Sequence, residues 1–150
     1  MPQCKLFYHL VWTTKGRIPV LEAEIEAGIF LAIRKKASGL RLRIYALNGV
    51  HDHVHLVTSV PPKLSIANVV GEMKGYSSFC VNHHLIDGGS FYWQEEYGAF
   101  SLDQSSLSTC IGYVENQKLH HSQNIGVIRK WELPNVFPDS PDIYVRAYSS

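Results

Sequence analysis

LRLRIYALNGVHDHVHLVTSV, residues 40–60, sets two apolar runs on either side of a polar break. In the first run Leu40, Leu42, Ile44 and Ala46 alternate with Arg41, Arg43, Tyr45 and Leu47, the period of a strand with one face on a core. HVHLVTSV is equally rich in strand-forming types, and Asn48-Gly49 and His51-Asp52 between the runs supply turn residues. The stretch therefore reads as a β-hairpin, which makes the centre of the sheet antiparallel.

Upstream, KLFYHLVWT at residues 5–13 reads as a first strand, closed by the turn-forming KGRIP. A helix is expected from Glu22 to Ser38, with Ile25, Ile29, Ala32, Ile33 and Lys36 on one face and Gly39 placed to end it. Downstream, Pro61-Pro62 breaks the chain and Ser65 opens a second helix toward His84, with Ile66, Val69, Val70, Met73 and Cys80 as its buried stripe. A turn at Asp87-Gly88-Gly89 precedes two short strand candidates, FYW at 91–93 and AFSL at 99–102. A third helix is expected from Ser105 or Ser106 to about His121, burying Leu107, Cys110, Ile111 and Val114.

This order predicts an α+β fold, a ferredoxin-like antiparallel sheet with helices packed on one face, followed by a C-terminal helix. The chain of 150 residues suits one domain. Residues 1–121 carry the periodic part, and 122–150, with three prolines in WELPNVFPDSPD, read as an irregular tail of the same domain. With 45% hydrophobic and 18% charged residues, disordered and collagen-like classes are excluded. Cys4, Cys80 and Cys110 are odd in number and widely spaced, which argues against a disulfide framework or a zinc cluster and for a reducing cytoplasm. No signal peptide or membrane-length apolar run is expected. A formal charge of only +1 confines any nucleic-acid binding to local patches.

On a strand, residues two apart share a face, so His53 and His55 present two imidazoles side by side while Val54 points the other way. That spacing suits a divalent metal, and equally suits two half-buried histidines satisfied by hydrogen bonds. His51 has the same parity but falls in the turn. On the third helix Tyr113 and Gln117 are four apart and His120 continues their face, offset from the buried stripe. This aims a phenol and an amide toward solvent or another surface, where the tyrosine could be a nucleophile or the pair an ordinary polar face. Glu115 and Lys118 are spaced as a solvated ion pair.

HVH at 53–55 and YVENQ at 113–117 together resemble the HUH single-tyrosine transposases, small enzymes of prokaryotic insertion sequences and of the related REP-associated group. YHLVWTTKGRIPVL, NGVHDHVHLV and WQEEYGAFSLDQS are similar to the same family pattern in the same order, so the resemblance spans roughly residues 6 to 121. It implies a DNA transposase that cuts and rejoins single-stranded DNA through a 5′-phosphotyrosine. Tyr113 would be its nucleophile, and His53, His55 and Gln117 would hold Mg2+ or Mn2+. It further implies a homodimer with composite active sites, hairpin-bearing DNA as partner, and work at the nucleoid rather than at a membrane.

Lys15, Arg17, Arg41, Arg43 and Lys74 are the candidate phosphate contacts, and Trp12, Tyr92 and Trp93 are candidates for base stacking or for core. Two features depart from the family pattern: the aperiodic tail and Gly112 beside Tyr113. Rival readings are a domesticated relative acting on repetitive palindromic DNA, a non-catalytic DNA hairpin-binding module, and a metal-dependent hydrolase with water as nucleophile.

Overall fold

The structure, a computed structural model, describes residues 5–87 and 90–119. Cys4, the Gly88-Gly89 part of the expected turn, His120, the expected helix end near His121 and the tail 122–150 lie outside the described residues.

Among the described residues the strands and α-helices follow in the order β1 (Phe7–Thr13), α1 (Ala23–Leu40), β2 (Ile44–Val50), β3 (His53–Ser59), α2 (Ile66–Cys80), β4 (Gly98–Leu102) and α3 (Gln104–Glu115). The strands form one sheet in the order β2-β3-β1-β4, every pairing antiparallel. This is the ferredoxin-like α+β arrangement.

Both faces of the sheet are used. Leu10, Trp12, Val54 and Leu56 join Ile29 and Ile33 of α1 and Val70 and Met73 of α2 in the larger core. On the other face Ala46, Val57 and Leu102 pack against Cys110, Tyr113 and Val114 of α3. β1 and β3 are therefore covered on both sides, which is why their sequences are almost continuously apolar. No helix among the described residues is long and apolar enough to cross a membrane.

Several boundaries differ from those expected. The strand expected from residue 40 begins at Ile44, because Leu40 ends α1 and Arg41 adopts the left-handed conformation after it (φ 60). Arg41 N–H donates to the Ser38 carbonyl and Leu42 N–H to the Ala37 carbonyl, the two bonds of a Schellman ending. Gly39 is consequently inside the helix and does not end it. The smooth alternation through Leu47 also fails: a register shift between Ile44 and Ala46 puts Tyr45 and Ala46 with the α3 core, and Ile44 and Leu47 with the other.

In α1, Ile29, Ala32, Ile33 and Ala37 are buried, while Lys36 lies at the margin, 3.3 Å from Glu72 and stacked on Tyr76. α2 starts after Ser65, whose hydroxyl accepts from Asn68 N–H, and buries Ser77 where Cys80 was expected. Its last stretch, Val81–Leu85, widens to π-helical geometry. Residues 91–93 form no strand beyond a single bridge between Trp93 and Thr14. Phe91 is instead held by Asn82, which donates to its carbonyl (2.9 Å) and accepts from its N–H (2.6 Å). α3 is capped by Asp103, two or three residues before the serines expected to open it, with Ser106 N–H 2.7 Å from its carboxylate.

Candidate active site

The hairpin turn is His51-Asp52, since Val50 pairs with His53 and Asn48-Gly49 lie within β2. This puts His53 at the start of β3 and His55 two residues along it. Both are buried (3% and 0% exposed) on the α3 face, with ring centroids 5.0 Å apart. His51 stays in the turn, exposed, 3.5 Å from Glu22.

Each imidazole is held by its Nδ1. His53 Nδ1 is 2.7 Å from Asp52 Oδ1, and a carboxylate can only accept, so the ring donates there and presents Nε2 as its basic nitrogen. Burial opposes ionisation of Asp52, but His53, through hydrogen bond and charge, and then Arg17 in the same way outweigh it and hold the carboxyl at about 2. Arg17 Nε donates to the second Asp52 oxygen at 3.1 Å. Gly16 (φ 66) and Arg17 (φ 53) are consecutive left-handed residues, and that tight turn after β1 brings the guanidinium to the hairpin. His55 Nδ1 is 2.8 Å from Nε2 of His9 on β1, and the two rings lie nearly in one plane, edge to edge.

α3 lies across this face. The Tyr113 ring sits edge-on to His55, centroids 6.1 Å apart, and Gln117 is buried one turn beyond. The expected offset between the Tyr113–Gln117 face and the apolar stripe is absent: Cys110, Tyr113, Val114 and Gln117 are buried together, while Leu107 and Ile111 are only half-buried. The polar pair faces the sheet rather than solvent because β3 offers histidines where α3 lands. Lys118 pairs with Glu26 at 2.8 Å, rather than with Glu115, and also donates to Asn48 Oδ1 and the Gly49 carbonyl. Asn48 Nδ2 in turn donates to the Glu115 carbonyl at 3.0 Å, so β2 clasps the end of the tyrosine helix.

Among the described residues no cluster of three or more His, Cys, Asp or Glu is arranged for a metal. The donors that would hold a divalent ion are the imidazoles of His53 and His55, which share one face of the sheet, with the amide of Gln117, buried on α3. The Asp52–His53 pair is the carboxylate–histidine arrangement that orients metal-binding imidazoles, and His55, with Nδ1 against His9, would bind through Nε2 when its own proton lies on Nδ1.

The candidate phosphate contacts separate. Lys15, Arg41 and Arg43 are exposed, with Arg43 over the Tyr45 ring and Lys15 5.8 Å from the exposed Tyr92 ring. Arg17 is engaged by Asp52. Lys74 is not presented to a ligand: its ammonium donates to the carbonyls of Gln94, Glu95 and Glu96 at 2.7 to 2.9 Å, and burial lowers its pKa. Trp12 and Trp93 are core and meet edge to face. A cavity of about 710 Å³ opens beside His53, bordered by Arg17, Glu26, His51, Asp52 and Lys118.

Sequence reasoning gave no role to His9, Asp52 or Asn48. Asp52 read as a turn residue. His9 shares the parity of Val11 on β1, opposite to that of Leu10 and Trp12, and a histidine among apolar strand residues on that face was the available signal.

Residues 3–117 match the family model described as IS200-like transposase. The chain belongs to the IS200-like transposase family. This transposase is 29% identical over 119 residues to the ISDra2 transposase TnpA of Deinococcus radiodurans, covering 75% of this chain and 84% of that one. It is also 29% identical over 138 residues to the transposase of insertion sequence IS200 from Salmonella typhimurium, covering 92% and 88%. Among solved structures, a transposase candidate from Deinococcus radiodurans superposes with TM-score 0.60 at 30% identity, covering 78% of this chain and 98% of that one. A REP-associated tyrosine transposase bound to a REP hairpin shares the fold (TM-score 0.61, 14% identity), covering 81% and 74%.

Proposed function

We propose that this IS200-like transposase cleaves and rejoins single-stranded DNA through a 5′-phosphotyrosine formed on Tyr113, with Mg2+ or Mn2+ held by His53, His55 and Gln117. The observation that carries the reading is the meeting of Tyr113 with His55 across the β3–α3 contact, beside a His53 already oriented by Asp52. The bound ion would neutralise charge on the phosphodiester and orient it for in-line displacement. Tyr113 Oη attacks phosphorus and loses its proton, the bond to the 3′-oxygen breaks, and that oxygen leaves protonated as a 3′-hydroxyl. A hydroxyl of another DNA end reverses the step, so no nucleotide hydrolysis is required.

Tyr113 is only 4% exposed, and in our reading α3 shifts from the sheet to admit a phosphodiester. A single residue, Asp103, joins β4 to α3. In our reading α3 moves as a body about that joint, and in a homodimer it docks on the partner's histidine strand to give composite sites. DNA enters by the cavity beside His53, with Lys15 and Arg17 near the phosphates there, Arg41 and Arg43 available to DNA that continues to the far end of the β2–β3 hairpin, and Tyr92 available for stacking. The hairpin bound by the REP-associated relative supports hairpin DNA as the partner, and a net charge of +1 suits a grip through few contacts. The site of action is the DNA of a prokaryotic cytoplasm.

A denaturing gel of the protein with Mn2+ and labelled single-stranded DNA from both flanks of its gene tests this. The expected result is a covalent adduct that vanishes in Tyr113→Phe. DNA retarded on a native gel but never linked would replace this reading with a non-catalytic hairpin-binding module. Product released without a protein link would indicate water as the nucleophile, and cleavage of palindromes scattered away from the gene a domesticated relative.

A further inference from the structure

We infer that His9 is a positioning residue for His55, accepting the His55 Nδ1 proton and so fixing the tautomer whose Nε2 lone pair is available to a divalent cation. The inference rests on the metal role of His55 proposed above, and it concerns a residue of β1 outside the ligand set.

The register places Val11 opposite His55 and His9 opposite Val57, so His9 is the diagonal neighbour of His55 on the α3 face. Both rings are fully buried and nearly parallel, at 16° with centroids 5.0 Å apart, and Nε2 of His9 lies 2.8 Å from Nδ1 of His55, so they meet edge to edge through that contact. One proton occupies that contact, which leaves two arrangements for a neutral pair. If His9 donates, His55 accepts at Nδ1 and carries its own proton on Nε2, where it blocks a ligand. If His55 donates, Nε2 is basic and His9 holds its proton on Nδ1. Only the second makes His55 a ligand. His53 is fixed in the same sense by Asp52, because a carboxylate cannot donate. The two strand histidines are thus oriented through Nδ1 by different means: one by an anion from the hairpin turn, the other by a neutral imidazole from the neighbouring strand.

His9 also contacts Phe100 of β4, ring to ring at 5.6 Å, so a variant that keeps the ring separates packing from hydrogen bonding. His9→Phe retains an aromatic plane and removes the acceptor, and His9→Gln restores an acceptor without the ring. The experiment uses the full chain without DNA. Long-range proton–nitrogen correlation NMR at pH 8 identifies the tautomer of His55, and Mn2+ affinity is measured from the electron paramagnetic resonance signal of the free ion.

In the unsubstituted protein His55 is expected as the Nδ1–H tautomer. His9→Phe should populate Nε2–H and weaken Mn2+ binding about 10-fold or more, with His9→Gln recovering most of it. An Nε2–H tautomer in the unsubstituted protein overturns the inference, and that measurement decides even if His9→Phe fails to fold. Unchanged Mn2+ affinity in a folded His9→Phe overturns it as well. The expected tautomer and Mn2+ responses in a protein that forms no DNA adduct would support the inference and sink only the cleavage reading.

Discussion

Asp52 stands between Arg17 and His53, its two carboxylate oxygens 3.1 Å from the Arg17 Nε and 2.7 Å from the His53 Nδ1. The turn after β1 and the hairpin turn are joined by this carboxylate, and the orientation of His53 depends on it. Removing the acceptor in Asp52→Ala is expected to weaken Mn2+ binding by about 10- to 100-fold while the fold persists. Free-ion titration checks the affinity and circular dichroism the fold, and unchanged affinity would dismiss the orienting role.

The same carboxylate ties stability to pH. Its folded pKa of about 2 lies below the ordinary value of 3.8, so between those values the unfolded chain binds more protons and stability rises with pH. The contribution is complete above about pH 4 and is lost as pH falls through about 2. Chemical denaturation of Asp52→Asn across pH 2 to 5 is expected to show a shallower decline than the unsubstituted protein. Parallel curves would remove Asp52 from the acid response.

Gly49 lies on β2 where an added Cβ would come within 2.5 Å of the His53 carbonyl oxygen, a backbone atom that cannot swing away. Gly49→Ala should therefore displace the first histidine as well as destabilise the hairpin, by about 1–3 kcal/mol. Thermal unfolding reports the stability, and the expected companion is weaker Mn2+ binding. Gly39→Ala, with open space around it, serves as the control and should leave both unchanged or slightly improve stability.

Composite sites are testable by mixing. If α3 serves the partner's histidine strand, co-purified heterodimers of Tyr113→Phe with His53→Ala regain one complete site and form adduct, although each variant alone is inactive. If Tyr113 works with its own chain's His55, as the two pack here, no mixture recovers activity.

Lys15 and Lys74 should part company. Lys15→Ala is expected to lower DNA affinity and reduce the salt slope by about 0.7 on single-stranded DNA, as loss of one phosphate contact does. Lys74→Met should leave that slope unchanged and cost about 1–2 kcal/mol of stability, because its ammonium holds the 94–96 backbone. A reduced slope in Lys74→Met would return Lys74 to the DNA surface.

Much of this arrangement follows from local pattern. Alternation in HVHLVTSV, the 3.6-residue spacing of Ile29, Ala32 and Ile33, and the Ser65 cap each report on neighbours a few residues away, and those elements lie close to where they were expected. The spacing of His53 and His55 likewise put both rings on one face, as the fold has them. Boundaries failed in two ways: Arg41 takes the left-handed position that Gly39 was expected to mark, closed by local bonds to Ala37 and Ser38, and the shift at Tyr45 answers to pairing with β3.

By itself, then, the sequence determined the strand and helix order, the shared face of the two histidines, and the family pattern that HVH and YVENQ carry. Tertiary structure decided which way α3 faces, that His9 on β1 reaches His55, that Asp52 is an orienting carboxylate, and that Lys74 holds backbone. These contacts join residues 35 to 58 positions apart or bind a turn to a neighbouring strand, as in Arg17–Asp52, His9–His55 and Tyr113–His55. Periodicity gives each side chain a direction within its own element. Only the packing of one element against another fixes what that side chain meets.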